Sequence, residues 1–356
     1  MTVNDDLLDL AVRHQVGLQR YSTATTRKLI ALLNRVDADI VAQMQRFDPE
    51  AVTGAWSAKR IERLLEAVRL VNRDAYNRVN KELTADLKAL ASYEGVYQIN
   101  SLTSALPIAV DIVSPSAEQL YAAVHSRPFQ GRILKDWGKD LEAGAFAKVR
   151  DAIRQGFVEG QTTEQIIRRL RGTRANQFRD GILEINRRSA EAVVRTAINH
   201  TANTARQEMY KANEDLIGSW RFVATLDART TLLCASLDGQ TFAIGEGPMP
   251  PRHYNCRSSS VPVTKSWREL GFDIDDLPAG TRASMDGQVP GDMTYDQWLK
   301  KQPADVQDDV LGRTKADLFR KGGVSLDRFV DDGRTLTLDQ LRRKETEAFA
   351  KAGLAA

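Results

Sequence analysis

The chain has 356 residues, 42% hydrophobic and 27% charged, with a formal net charge of +3, so it holds enough apolar material for two or three structural regions. No run of 18 apolar residues occurs and the start MTVNDDLLDL lacks the basic and apolar parts of a secretory signal, so a soluble cytoplasmic product with no membrane partner is expected. Two cysteines exclude a disulfide framework but leave a single bridge or a shared metal site, and a charge of +3 does not by itself imply a nucleic-acid partner.

Between Ala24 and Phe47 apolar residues recur at Leu29, Leu33, Val36, Ile40, Met44 and Phe47, a spacing of three and four that predicts a long amphipathic helix. After a break at Pro49 to Trp56, a second run (Ile61, Leu64, Val68, Val71, Ala75, Val79, Leu83, Leu87, Leu90) predicts a partner helix, and the two are expected to pair as an antiparallel hairpin. Pro107 and Pro115 flank a short apolar run, so Asn100 to Pro115 reads as an extended connector. Helical patterning resumes at Ala117 to Val124 and at Ile133 to Phe157. Thr162 with Gln165 forms a capping-box signature for a helix at Gln165 to Leu170, and a longer helix is expected from Leu183 to Ala212.

The pattern then changes from period 3.6 to period 2. Trp220, Phe222 and Ala224 alternate with Arg221, Val223 and Thr225, and Leu237-Asp238-Gly239 supplies a turn before Thr241 to Ala243, which together predict a small β-hairpin. Gly245 to Pro251 is a loop, and Ser260 to Val263 a second extended piece. Trp220 and Phe222 are expected in the hairpin core rather than as a base-stacking platform, since no further stacking motif accompanies them. No repeat or low-complexity tract occurs.

Charge is unevenly spread. Nine arginines face three acids between Arg168 and Arg206, whereas from Lys265 onward 15 basic residues stand against 17 acidic ones. Arg168, Arg169, Arg171, Arg174, Arg187 and Arg188 are therefore candidates for contact with DNA or an acidic partner, the alternative being a solvated helix face.

Both cysteines and one of the four histidines fall within 23 residues: Cys234, His253 and Cys256. Thiolate and imidazole ligands suit tetrahedral zinc, and His-x-x-Cys lets one loop supply two of them. A fourth ligand is not evident; Asp227, Asp238, a water and a partner residue stand as alternatives, beside a reading in which reduced cysteines pack a small core with His253 hydrogen-bonded nearby. Three ligands with an open position is also the catalytic zinc pattern, and a Cys-His dyad of Cys234 or Cys256 with His200 or His253 is formally available. The deaminase, zincin, P-loop and nucleophile-elbow signatures are absent, however, so no enzyme is expected. Arg257 reads as an orienter of the loop, as a contact to a partner or as a surface residue, and His14 and His125 stand isolated.

The run Trp220 to Thr230, then Cys234, Leu237 to Phe242, and Pro250-Pro251-Arg252-His253-Tyr254-Asn255-Cys256-Arg257, resembles the core of the phage Mu F-like head morphogenesis domain in order and spacing. The preceding helix, with Arg195-Thr196-Ala197, Asn199 and Ala205-Arg206, is similar to the helix that leads into that core, which brings the resemblance to Gln161 to Val263. A later stretch, Met293 to Leu299 through Gln302-Pro303, Leu311-Gly312 and Phe329 to Leu341, is similar to the tail of many such phage proteins. The resemblance implies a minor head protein of a tailed phage, found in the virion and assembled in the host cytoplasm. It would act at the portal vertex in head assembly or genome delivery, with portal protein, major head protein and phage DNA as partners and no established catalysis. Many relatives carry a further cysteine three residues before the position of Cys234, where this chain has Thr231.

The expected architecture is mainly α with a small α+β domain: an elongated helical region (1–99), a helical middle (100–160), a compact Cys/His-containing β-hairpin domain (161–264) and an accessory C-terminal region (265–356). The rival functions are a zinc-dependent hydrolase or nuclease delivered with the genome and a non-structural DNA-binding protein.

Overall fold

The structure is a computed structural model that describes residues 3–47, 58–266, 268–270 and 280–354. The expected break at Pro49 to Trp56 lies outside the described residues. The protein is mainly helical, and none of its described helices is long and apolar enough to cross a membrane. It divides into two compact units, one of Met1–Gln19, Ser92–Leu120 and Asn199–Ala356, the other of Arg20–Ala91 and Tyr121–Ile198. The expected division followed chain order, whereas these units interleave separate stretches of chain.

The second unit is all helical. It takes the later part of α1 (Val3–Arg46), the earlier part of α2 (Ala58–Ala105), the end of α3 (Ala117–Ser126), then α4 (Leu134–Val158), α5 (Thr163–Arg171) and the start of α6 (Ile182–Ala212). The predicted stripes are its core: Leu29, Leu33, Val36, Ile40 and Met44 of α1 and Ile61, Leu64, Val68, Ala75, Val79, Leu83, Leu87 and Leu90 of α2 are buried, with Val71 partly so. Lys28 pairs with Glu82 at 2.8 Å and Asp86 at 3.2 Å across the two helices. The capping box forms at α5, with Thr162 accepting from Gln165 N at 3.2 Å and Gln165 accepting from Thr162 N at 2.8 Å.

Two expectations about helix extent are corrected. Helix α1 begins at Val3, not near Ala24, because its buried face continues through His14, Gln15, Leu18, Ser22, Thr25 and Thr26, a stripe with the right spacing but polar members. Helix α2 runs to Ala105, so Asn100–Ala105 is helical rather than extended, and only 106–116 lacks regular structure. Leu102 and Ala105 are buried in the core of the first unit, and that packing outweighs the weak helix propensity of the serines and threonine around them.

In the first unit the N-terminal part of α1 lies antiparallel to the end of α2: the Tyr97 hydroxyl donates to Leu10 O at 2.8 Å, and His14 meets Glu94 at 2.6 Å. Strand β1 (Ile217–Val223) lies between β2 (Thr241–Phe242) and β3 (Ser259–Thr264), both antiparallel to it, with Trp220 opposite Phe242 and Pro262. The expected hairpin is thus two strands of a three-stranded sheet. Pro262 is tolerated because β3 is an edge strand. Side chains satisfy that edge: Asn203 Oδ1 accepts from Ser260 N and Asn4 Oδ1 from Thr264 N, each at 2.8 Å, and the Tyr210 hydroxyl donates to Ser260 O at 3.2 Å. Trp220 and Phe222 are fully buried with Leu7, Leu8, Met209, Cys234, Cys256 and Val261, as the pattern predicts for a hairpin core.

The C-terminal region builds a core of its own. A hairpin of β4 (Thr281–Ser284) and β5 (Gly287–Pro290) precedes α8 (Tyr295–Lys300), α9 (Ala304–Leu311) and α10 (Arg313–Arg320). The short pair β6 (Val330–Asp331) and β7 (Arg334–Thr335), α11 (Leu338–Lys344) and α12 (Thr346–Lys351) follow. Tyr295, Trp298, Leu299, Leu318, Phe329, Leu341 and Phe349 are buried together with Leu226 and Ala235.

Candidate metal centre

The chemistry-bearing residues lie on two pieces of chain next to the sheet. The one-turn helix α7 (Leu232–Ala235) presents Cys234, and the loop before β3 presents His253 and Cys256. Asn255 sits at φ +60, which turns the chain between the two loop ligands, and Cys256 N donates to His253 O at 3.2 Å. Helix α6 fixes the loop from behind: Asn199 Nδ2 donates to the carbonyls of Cys256 at 2.7 Å and Ser258 at 3.2 Å, and Asn203 supports Asn199 at 2.6 Å. Gln15 of α1 donates to Arg257 O at 3.0 Å. None of these supports is visible as a sequence motif, because each pairs residues at least 57 positions apart except the Asn199–Asn203 step along one helix.

Cys234 Sγ lies 3.7 Å from Cys256 Sγ and 3.3 Å from His253 Nε2, and all three ligand atoms lie within 4.8 Å of one another. Tetrahedral zinc, with Zn–S about 2.3 Å and Zn–N about 2.0 Å, would place neighbouring sulfurs about 3.8 Å apart and sulfur and nitrogen about 3.6 Å apart. Both separations from Cys234 match those lengths within a few tenths of an ångström, so the residues fit the ion. His253 Nδ1 lies 2.8 Å from Tyr254 O, the backbone partner that leaves Nε2 for the site when Nδ1 carries the proton. Both cysteines are buried and His253 is partly so.

The electrostatics point the same way. The hydrogen bond from the Cys234 thiol, together with His253, holds the Cys256 thiol well below the usual cysteine range, while its bond with Cys256 and its own burial push Cys234 up. The bond to Cys256 raises the His253 imidazole above its ordinary range. A cation bound among the three side chains would take the place of the protons they share.

Neither carboxylate considered as a fourth ligand is available to the cluster. Asp227 is engaged by Arg257, whose Nη2 donates to Oδ1 at 2.7 Å and whose Nη1 pairs with Oδ2, and it also accepts from Arg229 N at 3.0 Å. Arg257 is therefore an orienter that ties the ligand loop to the end of β1. Asp238 is buried and accepts from Ala224 N at 2.7 Å, Tyr295 N at 2.8 Å and the Arg282 guanidinium at 3.0 Å, an arrangement that joins the segment around the sheet to the C-terminal region. On the Nε2 side of the histidine lies instead Thr231 Oγ1, at 2.9 Å. Thr231→Cys is accordingly expected to add a third thiolate as a fourth ligand and to slow zinc loss to a chelator at least tenfold, read by a colorimetric zinc-release assay; unchanged release would place residue 231 outside the coordination sphere.

The family described as Phage Mu protein F like protein matches residues 147–261, about a third of the chain. Residues 147–261 are a Mu F-like region. The match begins within α4, upstream of the expected Gln161, and ends inside β3, so the Mu F-like region includes α5, α6, β1, β2, the start of β3 and all three members of the Cys/His cluster. No curated protein and no solved structure matches the chain.

The arginines expected to face a partner separate into two groups. Arg187 pairs with Asp37 and, at 2.8 Å, with Glu184, and Arg169 pairs with Glu159 at 2.7 Å, so these two brace the helical unit. Arg168, Arg171 and Arg174 are exposed without an ion pair among the described residues, and Arg188 is exposed with Glu184 at 3.4 Å. His200 is buried in α6, away from the reach of a substrate, and His14 proves to be a buried partner of Glu94.

Proposed function

We propose that the protein is a minor head protein of a tailed phage, located in the virion, acting in head morphogenesis at the portal vertex with portal protein and major head protein as partners. The observation that carries this reading is the Mu F-like match over residues 147–261, which coincides with the sheet and the Cys/His cluster. The resemblance of Met293 to Leu299 and Phe329 to Leu341 to the tail of such proteins supports it, and Met293, Tyr295, Trp298, Leu299, Phe329, Leu336 and Leu341 of those stretches are buried in the C-terminal core.

In this reading the cluster is a structural zinc site. Cys234, His253 and Cys256 would hold the ion, which would supply a cross-link between α7 and the loop before β3. The protein acts by binding rather than catalysis. Burial supports that assignment over a cysteine hydrolase: Cys234 and Cys256 are 1% and 4% exposed, so neither sulfur is reachable by a substrate carbonyl. A zinc hydrolase or nuclease would need an open coordination position in a cleft and a carboxylate base beside it, and the carboxylates of Asp227 and Asp238 are both held in ion pairs.

Deletion of the gene is expected to leave host cells with head-related structures but few infectious particles, and the protein is expected to appear in purified virions and to co-purify with portal protein. Full infectivity of particles lacking it would overturn the reading. A nuclease or hydrolase activity lost on chelation would favour the enzymatic alternative.

A further inference from the structure

We propose that the segment from Arg168 to Arg188 carries a binding site for single-stranded nucleic acid, in which arginines contact phosphates and Phe178 stacks on a base. This goes beyond the head-assembly reading and stands or falls separately from it. The loop between α5 and α6, residues 172–181, is internally braced. The Asp180 carboxylate accepts from Thr173 N and Oγ1, both at 2.8 Å, and from Asn176 Nδ2 at 3.0 Å, and these bonds pull its pKa down to about 2. Gly172 stands at φ +90, where a Cβ would meet Asp180 Oδ1 and Gly181 N at 2.7 Å.

Two consecutive non-glycine residues occupy the left-handed region, Gln177 at φ +53 and Phe178 at φ +62. A bulky aromatic residue adopts that backbone at a cost that its surroundings usually offset by packing the ring. Here the ring of Phe178 is 48% exposed, so its burial does not explain the conformation. In the same loop and at its α5 end, Arg171, Arg174 and Arg179 are exposed and form no ion pair among the described residues, while the one acid of the loop, Asp180, is occupied by the loop itself. Arg188 reaches back to the carbonyl of Arg179 and ties α6 to the same surface.

The helix dipole accounts for Arg168 and Arg171 in the last turn of α5, but not for Arg174 and Arg179, which lie beyond that helix. Cations spread along a rigid loop with one exposed flat ring is the combination that tracks a flexible polyanion and stacks an accessible base. An acidic protein surface would match the charge and leave the ring without a flat partner.

The test uses the full-length protein, with anisotropy of a fluorescein-labelled oligothymidylate and of a duplex of equal length measured across a salt series. Single strands are expected to bind more tightly than duplex. The triple variant Arg171→Ala, Arg174→Ala, Arg179→Ala is expected to reduce the salt slope by about 2, at roughly 0.7 for each phosphate that is no longer neutralised. Phe178→Ala is expected to weaken single-strand binding by about 5- to 150-fold with the slope unchanged, the worth of stacking one base. Phe178→Gly, which suits the left-handed backbone, should lose the same binding without a lower Tm. Absence of binding, binding that neither variant changes, or a Tm that falls with Phe178→Gly would each overturn the proposal; polyglutamate binding as tightly as oligothymidylate would assign the surface to an acidic protein instead.

Discussion

Cys256→Ser is expected to leave the protein without zinc and to lower the Tm of the unit that carries it by roughly 8–16 °C. A ligand present at about a thousand times its Kd stabilises the folded state by about 4 kcal/mol, and each kcal/mol is worth about 2–4 °C in a unit of this size. Serine has the same branching and is only slightly smaller, but its hydroxyl does not ionise near neutral pH, so the ligand charge is lost with little change in shape. Wild-type protein purified without chelator should contain about one zinc per chain by elemental analysis. Treated with chelator, it should melt where Cys256→Ser melts, because both then lack the same cross-link. Cys234→Ser should behave alike, since its sulfur completes the same triangle. Wild-type protein free of zinc, with a Tm that added zinc does not raise, would turn the three side chains into a reduced thiol core with a hydrogen-bonded histidine.

The Cys/His cluster was legible in the sequence because its members are rare residues brought close by short spacing, and a cluster of soft side chains needs no knowledge of the fold. What makes the cluster a site was not legible. Asn199, Asn203 and Gln15 hold the ligand loop through bonds between residues far apart in sequence, and asparagine and glutamine carry no spacing signature for such a role. Reading Asp227 and Asp238 as possible ligands failed for a related reason: a carboxylate near a cysteine in sequence looks available until the Arg257 and Arg282 partners are placed beside it. Helix existence followed from apolar periodicity, and the α4, α5 and α6 limits lie within a residue or two of those expected, apart from the earlier start that the Thr162 cap gives α5. The first half of α1 was not read as a helix because its buried stripe mixes Leu7, Leu8 and Leu18 with the polar His14, Gln15, Ser22, Thr25 and Thr26. A hydrophobic pattern cannot register those polar members, and the burial of His14 and Gln15 depends on partners supplied by other parts of the chain.

Arg206→Ala is expected to destabilise the unit that holds it by about 3–5 kcal/mol, which corresponds to roughly 6–20 °C in Tm. Glu94 and Arg206 are 0% and 1% exposed, paired at 3.0 Å, and Glu94 also meets His14 at 2.6 Å while the ring of His14 stacks on Tyr97 at 3.7 Å. Removing the guanidinium leaves a fully buried carboxylate with the histidine alone. Burial opposes ionisation of Glu94, yet Arg206 and His14 together hold its carboxyl below the usual glutamate range. A depressed folded pKa contributes stability that is present above the unfolded value of about 4.3 and is lost as pH falls through the folded one. The gap in Tm between wild type and Arg206→Ala should therefore narrow below about pH 4. The paired replacement Glu94→Leu with Arg206→Met should cost far less than Arg206→Ala, since apolar side chains leave no unpaired charge. Arg206 also donates to Ser259 at the start of β3, on the same helix that holds Cys256 O through Asn199. Arg206→Ala should consequently speed zinc release from the distant thiolates, whereas the paired apolar replacement, which restores packing but not the bond to Ser259, should restore Tm more fully than zinc retention. If the two recover together, the ion pair acts on the site only through the stability of the unit and not through the position of β3.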